Sequence, residues 1–164
     1  MHLKEELKIT KPLQSGHEVA LALLLTREYV ARLFDEGLFD PEGISDPQYN
    51  ILRILKGGPP EGYLIRDLRQ RVIYRFADVP RLVNRLGAQG LVRRTQCPED
   101  RRGSRIQITT KGLALEVRLR PQHQSLCERV ARCLNTKERR QLLDYLERLR
   151  DDFREQLEKN SRNN

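Results

Sequence analysis

The apolar residues of this chain recur at helical spacing along most of its length, interrupted once by a short alternating stretch. From Gln14 to Phe34, the residues Val19, Leu23, Val30, Leu33 and Phe34 keep near-helical spacing, and Leu21, Leu24 and Leu25 widen the apolar face. One long helix is expected there, with more apolar surface than a small lobe consumes. A second helix should open at Asp46-Pro47, an acid at the N-cap followed by proline in the first helical position, and stop at Gly57-Gly58-Pro59-Pro60. Its core face is Ile51, Leu52, Ile54 and Leu55. Ile65, Leu68 and Val72 mark a short third helix, followed by an irregular Ile73-Tyr74-Arg75-Phe76.

The fourth helix, about Asp78 to Gln89, has the clearest stripe. Val79, Leu82, Val83 and Leu86 fall at i, i+3, i+4 and i+7, so they face a core, while Arg81, Asn84 and Arg85 project from the other side. Asp78 is a suitable N-cap, Pro80 fits a helix that starts close by, and Gly90 supplies the stop. Leu91 to Gln96 and Ser104 to Thr109 then read as the two strands of a hairpin with an arginine-loaded tip. A fifth helix is expected from Lys111 to Cys133, capped by Thr109 or Thr110 and bent near Pro121. A sixth follows a capping box at Asn135 and Glu138 and carries Leu142, Leu146, Leu149, Phe153 and Leu157 in a heptad-like row. The fold class is thus mainly α with a small β-hairpin wing: a winged helix-turn-helix lobe at residues 46–112, flanked by dimerisation helices at 14–36 and 113–158 of a single 1–164 domain.

Charge sharpens this picture because it has a location. The segment Tyr63 to Arg105 holds eleven arginines against four acids, a net +7 of the chain's +8. Arginine's planar fork suits phosphate oxygens and guanine edges and enters a narrow minor groove readily, so double-stranded DNA is the expected partner. The helix from Asp78 would lie in the major groove and the hairpin would reach the adjacent minor groove. Arg81 and Arg85 suit guanine or phosphate, Asn84 suits adenine, and the helix N-terminus near Ala77 and Asp78 offers backbone N–H groups to a phosphate. Arg75, Arg101, Arg102 and Arg105 complete the set of expected DNA contacts.

Other chemistry is thinly represented. The chain shows no phosphate loop, dinucleotide fingerprint, HExxH or nucleophile elbow, and its three histidines are scattered, so no enzyme and no cofactor are expected. His123 and Cys127 stand at i, i+4, but no third metal ligand is near in sequence. Cys97, Cys127 and Cys133 are odd in number with no CxxC, which argues for free thiols over a disulfide scaffold, with thiol sensing as the alternative use. No stretch approaches the ~20 apolar residues of a bilayer span, and Met1 to Thr10 is too polar for a signal peptide, so a cytoplasmic protein away from membranes is expected. A winged-helix adaptor for protein contacts is the competing reading, but an adaptor has no reason to keep so many arginines.

Two segments carry a family resemblance: Arg81-Leu-Val-Asn-Arg-Leu-Gly-Ala-Gln-Gly-Leu-Val92, and Asp100-Arg-Arg-Gly-Ser-Arg-Ile-Gln-Ile-Thr-Thr-Lys-Gly112. Together they resemble the MarR family of multiple antibiotic resistance regulators. The family's wing pattern, D-x-R followed by hydrophobic-Thr-x-x-Gly, falls on Asp100, Arg102, Ile108, Thr109 and Gly112. The resemblance is close from Pro47 to Gly112 and extends to the flanking helices by length and order. It implies an obligate homodimer on a pseudo-palindromic operator, usually a repressor released by a small phenolic ligand or by thiol oxidation. It also implies that Asp100 holds Arg102 for insertion in the minor groove. His17, Arg27, Tyr29 and Tyr49 lie on helices that in this family flank the ligand crevice, and His17, Arg27 and Tyr49 are the candidate contacts for a small aromatic ligand.

Overall fold

A computed structural model describes residues 2–96 and 104–162. A one-turn helix α1 (Leu3–Glu6) precedes the long α2 (Ser15–Phe34), which runs on through a π-turn at Asp35–Phe39 and a 3₁₀ turn at Asp40–Glu42. Then come α3 (Asp46–Lys56), the two-residue strand β1 (Tyr63–Leu64), α4 (Ile65–Arg71) and α5 (Val79–Ala88). Strands β2 (Val92–Gln96) and β3 (Ser104–Ile108) lead to α6 (Thr110–Val130) and α7 (Thr136–Arg162). Among the described residues the sheet has three antiparallel strands in the order β1-β3-β2, with Tyr63 opposite Ile106 and Val92 opposite Ile108.

By compactness the chain divides into residues 1–126 and 127–164. The first unit holds a core in which Phe39, Tyr49, Ile51, Leu52, Leu68, Leu86 and Ile106 have no exposed surface. The stripe expected on α5 faces it: Val79, Val83 and Leu86 are buried and Leu82 is partly so. Leu86 and Val83 thereby fix which side of α5 meets the core, and so which side meets solvent. In the second unit no described residue of α7 is buried, and Leu142, Leu143, Tyr145, Phe153 and Leu157 are all exposed.

Three expectations are corrected in detail. The α3 N-cap is Ser45, not Asp46. Ser45 closes a capping box with Gln48, whose Oε1 accepts from the Ser45 N–H at 2.9 Å, so Asp46 and Pro47 are the first two helical residues. Leu91 lies in the turn before β2, and the fifth helix ends at Val130, short of Cys133. At α7 the capping box is as expected: Asn135 Oδ1 accepts from the N–H of Lys137 and Glu138, and Glu138 Oε2 accepts from the Asn135 N–H at 2.8 Å.

Candidate nucleic-acid interface

Helix α5 starts where its sequence allows. The Asp78 carboxylate accepts from the Arg81 N–H at 3.2 Å, and Pro80 occupies the second helical position, where the missing donor costs nothing. At the other end Gly90, in the left-handed region at φ +71°, closes the helix as the Leu91 N–H bonds back to the Leu86 carbonyl at 2.9 Å. Between these stops Arg81, Asn84 and Arg85 all stand exposed.

The backbone donors at this helix start are already engaged within the chain. The Val79 N–H is bonded to the Ala77 carbonyl, Pro80 has no N–H, and the Arg81 N–H is held by Asp78. A phosphate at this helix start would meet a carboxylate and donors already in use. Asp78 is a helix cap.

Strand β2 contributes a residue that the charge count included and the list of contacts missed. Arg94 donates to Asn84 Oδ1 at 2.7 Å, tying the exposed face of α5 to the hairpin, and Arg93 beside it donates to Gln107 at 2.9 Å. Asn84 is therefore engaged through its carbonyl, leaving its amide to donate. The adjacent pair Arg93-Arg94 was the available sequence signal, but which α5 residue it meets depends on the packing of β2. Arg105 on β3 is half-buried and donates to the Gly62 carbonyl at 3.3 Å, while Arg75 is exposed and donates to the Gln70 carbonyl at 2.6 Å. Cys97, Asp100, Arg101 and Arg102 lie outside the described residues.

The turn before α5 is pinned by α3. Asn50, buried, accepts from the Ile73 N–H at 3.1 Å through Oδ1, and the Tyr74 hydroxyl donates to the Asp46 carboxylate. Burial pushes the Asp46 carboxyl up, against the pull of the Tyr74 hydrogen bond and the Arg53 charge. Burial and the neighbouring carboxylate likewise raise the Tyr74 hydroxyl, which stays protonated as the donor.

The expected ligand residues occupy different environments. His17 and Arg27 are exposed on α2, where Arg27 pairs with Glu28 at 2.5 Å, whereas Tyr49 has no exposed surface. Its ring packs between Phe39 and His123, with centroids 5.3 and 5.1 Å away. Tyr29, also exposed, donates to Glu6. A cavity of about 400 Å³ lies elsewhere, between Glu42, Gln89, Leu91, Lys111, Leu115 and Arg118. Arg118 grips Glu42 through two bonds of 2.5 and 2.6 Å, which hold the Glu42 carboxyl below its ordinary range. Cys127 and Cys133 are exposed. No helix among the described residues is long and apolar enough to cross a membrane.

A model of the MarR family matches residues 42–103, which span α3 to the hairpin. A MarR transcription factor from Planctomyces limnophilus is 31% identical over 84% of this chain and 98% of its own, with a TM-score of 0.63. The PcaV transcriptional regulator from Streptomyces coelicolor, crystallised with its natural ligand, is 22% identical over 87% of this chain and 98% of its own, at a TM-score of 0.75. A mutant MarR from E. coli complexed with operator DNA is 21% identical over 84% of this chain and 99% of its own, at 0.72. No curated protein sequence matches the chain significantly.

Proposed function

The chain belongs to the MarR family of transcriptional regulators, and from that premise we propose that it is a homodimeric repressor binding an inverted-repeat operator in double-stranded DNA. One observation carries the reading: a helix capped at both ends presents Arg81, Asn84 and Arg85 on its exposed side and is bonded through Asn84 to an arginine of the wing strand. Such a unit presents its side chains to a major groove from one helix face. Arg81 and Arg85 supply guanine or phosphate contacts, Arg75 and Arg105 lie on the flanking turn and strand, and Arg101 and Arg102, with Asp100 as orienting partner, supply the minor-groove contact. Half-sites then lie about one helical turn, ~10 bp, apart.

Release by a small aromatic ligand is part of the proposal, supported by the ligand-bound PcaV neighbour. The cavity beside Lys111 and Arg118 is of a volume that fits such a molecule.

The test is selection from random genomic duplex fragments, followed by salt titration of the selected sequence. An enriched inverted repeat, bound with a steep salt slope and lost in Arg81→Ala/Arg85→Ala, supports the reading. Arg102→Ala should flatten the slope of log K against log salt by about 0.9, the share of one phosphate contact. Binding no tighter than ~10⁻⁴ M, without an enriched motif, overturns it and leaves the winged helix for protein contacts.

A further inference from the structure

Burying a large apolar side chain gains about 1.5–3 kcal/mol, so one held almost wholly in water is a ready contact for a partner. Phe76 is 91% exposed, with Ile73, three residues before it, 70% exposed. The ring stands in the turn that leads into α5, three residues before the helix begins.

That turn is built to hold its shape. Asn50 grips the Ile73 N–H, Asp46 accepts from the Tyr74 hydroxyl, and the Ala77 N–H closes on the Tyr74 carbonyl at 3.1 Å. Two polar side chains of α3 thus fix the backbone on which Phe76 stands, while nothing among the described residues covers the ring. The neighbourhood selects its occupant by charge. Arg66, Arg69, Arg75, Arg81 and Arg85 are all exposed on this turn or the helices either side of it, which favours a polyanion over an uncharged protein surface.

We propose that Phe76 is a specificity-determining residue that reads the C5-methyl group of a thymine in the major groove of each half-site. The inference rests on the regulator reading and adds to it. The residues at the N-terminal end of a recognition helix are the ones that reach base edges, and thymine is distinguished there by a methyl group for which an apolar side chain is the natural partner. Arginine and asparagine read hydrogen-bonding edges, and Phe76 supplies apolar readout that none of them offers.

Deoxyuridine differs from thymidine at the base by that methyl alone, so it isolates the contact. The selected duplex is remade with single dT-to-dU replacements, and the affinities of wild type, Phe76→Ala and Phe76→Leu are measured for each. At one symmetry-related thymine, uracil should weaken wild-type binding about three- to fourfold, the share of one buried methyl group. Phe76→Ala should bind the thymine duplex roughly tenfold more weakly and be indifferent to uracil at that position, while Phe76→Leu keeps part of the sensitivity. The ring is exposed, so both variants should melt with wild type.

An inverted repeat selected by wild type, with Phe76→Ala matching wild type at every replacement, overturns this inference alone. A smaller sedimenting species for Phe76→Ala does so too, since the ring would then face a second copy of the chain. A wild-type protein that selects no sequence overturns it together with the regulator reading.

Discussion

The residues whose environment departs furthest from their type are His123 and Glu116, both buried on α6. Glu116 is closed in by Lys56 at 3.2 Å and by Arg120 at 2.6 Å, and burial raises its carboxyl. His123 packs against Phe34 and Tyr49, and burial, reinforced by the Arg53 charge, holds its imidazole below the ordinary 6.5. An unfolded chain therefore takes up the His123 proton before the folded one does. The stability tied to neutral His123 is full above pH 6.5 and is lost as pH falls through the lowered folded value. Melting curves of wild type and His123→Gln should converge between pH 7.5 and 5, with wild type the steeper; parallel curves would refute this. Neither burial was legible in sequence, where His123 stood out only for its spacing from Cys127. The rings that pack against it come from α2 and α3, far away along the chain. Asn84 is the converse case: its exposed side of α5 followed from the stripe opposite, but its partner Arg94 did not.

At the scale of elements, the wing motif shows why a pattern can be visible before its cause. Thr109 and Gly112 were read as marks of resemblance, and the structure supplies their physics. The Thr109 hydroxyl donates to the Gly90 carbonyl at 2.7 Å and accepts from the Gly112 N–H at 3.1 Å, so one side chain joins the end of α5 to the start of α6. Gly112 is held against the chain just before β2, where an added Cβ would lie 2.1 Å from the Leu91 carbonyl oxygen. Gly112→Ala must push backbone against backbone, which costs about 2–3 kcal/mol and lowers Tm by roughly 4–10 °C. Gly87, helical and open on all sides, is the control. Gly87→Ala should raise Tm by about 2 °C, since alanine is the better helix former by roughly 0.5–1 kcal/mol. A Gly112→Ala protein that melts with wild type would remove the packing argument. The elements that escaped the sequence reading are short ones: α1, the π- and 3₁₀ turns after α2, and β1. Two residues have no period, and Tyr63–Leu64 is a strand only because β3 lies alongside to pair with it.

Over the whole molecule, apolar surfaces left uncovered bear on the proposed assembly. Helix α7 alone exposes Leu142, Leu143, Tyr145, Phe153 and Leu157, and in the first unit α2 and α6 expose Val19, Leu24, Tyr29, Leu113 and Val117. Patches of this kind mark interfaces, and in the proposed dimer a second copy of the chain covers them. Sedimentation should give twice the chain mass, with Tm rising with protein concentration. Leu142→Glu/Phe153→Glu should yield a monomer that melts lower and binds DNA more weakly; a dimer surviving that change would place the interface elsewhere. The sequence by itself determined the six longer helices, the caps of α5 and α7, the hairpin strands and the arginine field, because each is written in neighbouring residues through a period, a cap or a charge count. Only the tertiary structure decided that the start of α5 has no donors to spare for a phosphate, that Arg94 meets Asn84, that Tyr49 and His123 are interior, and that Phe76 is held out in solvent. Each of these depends on which distant segment packs against the residue, and spacing along the chain does not carry that information.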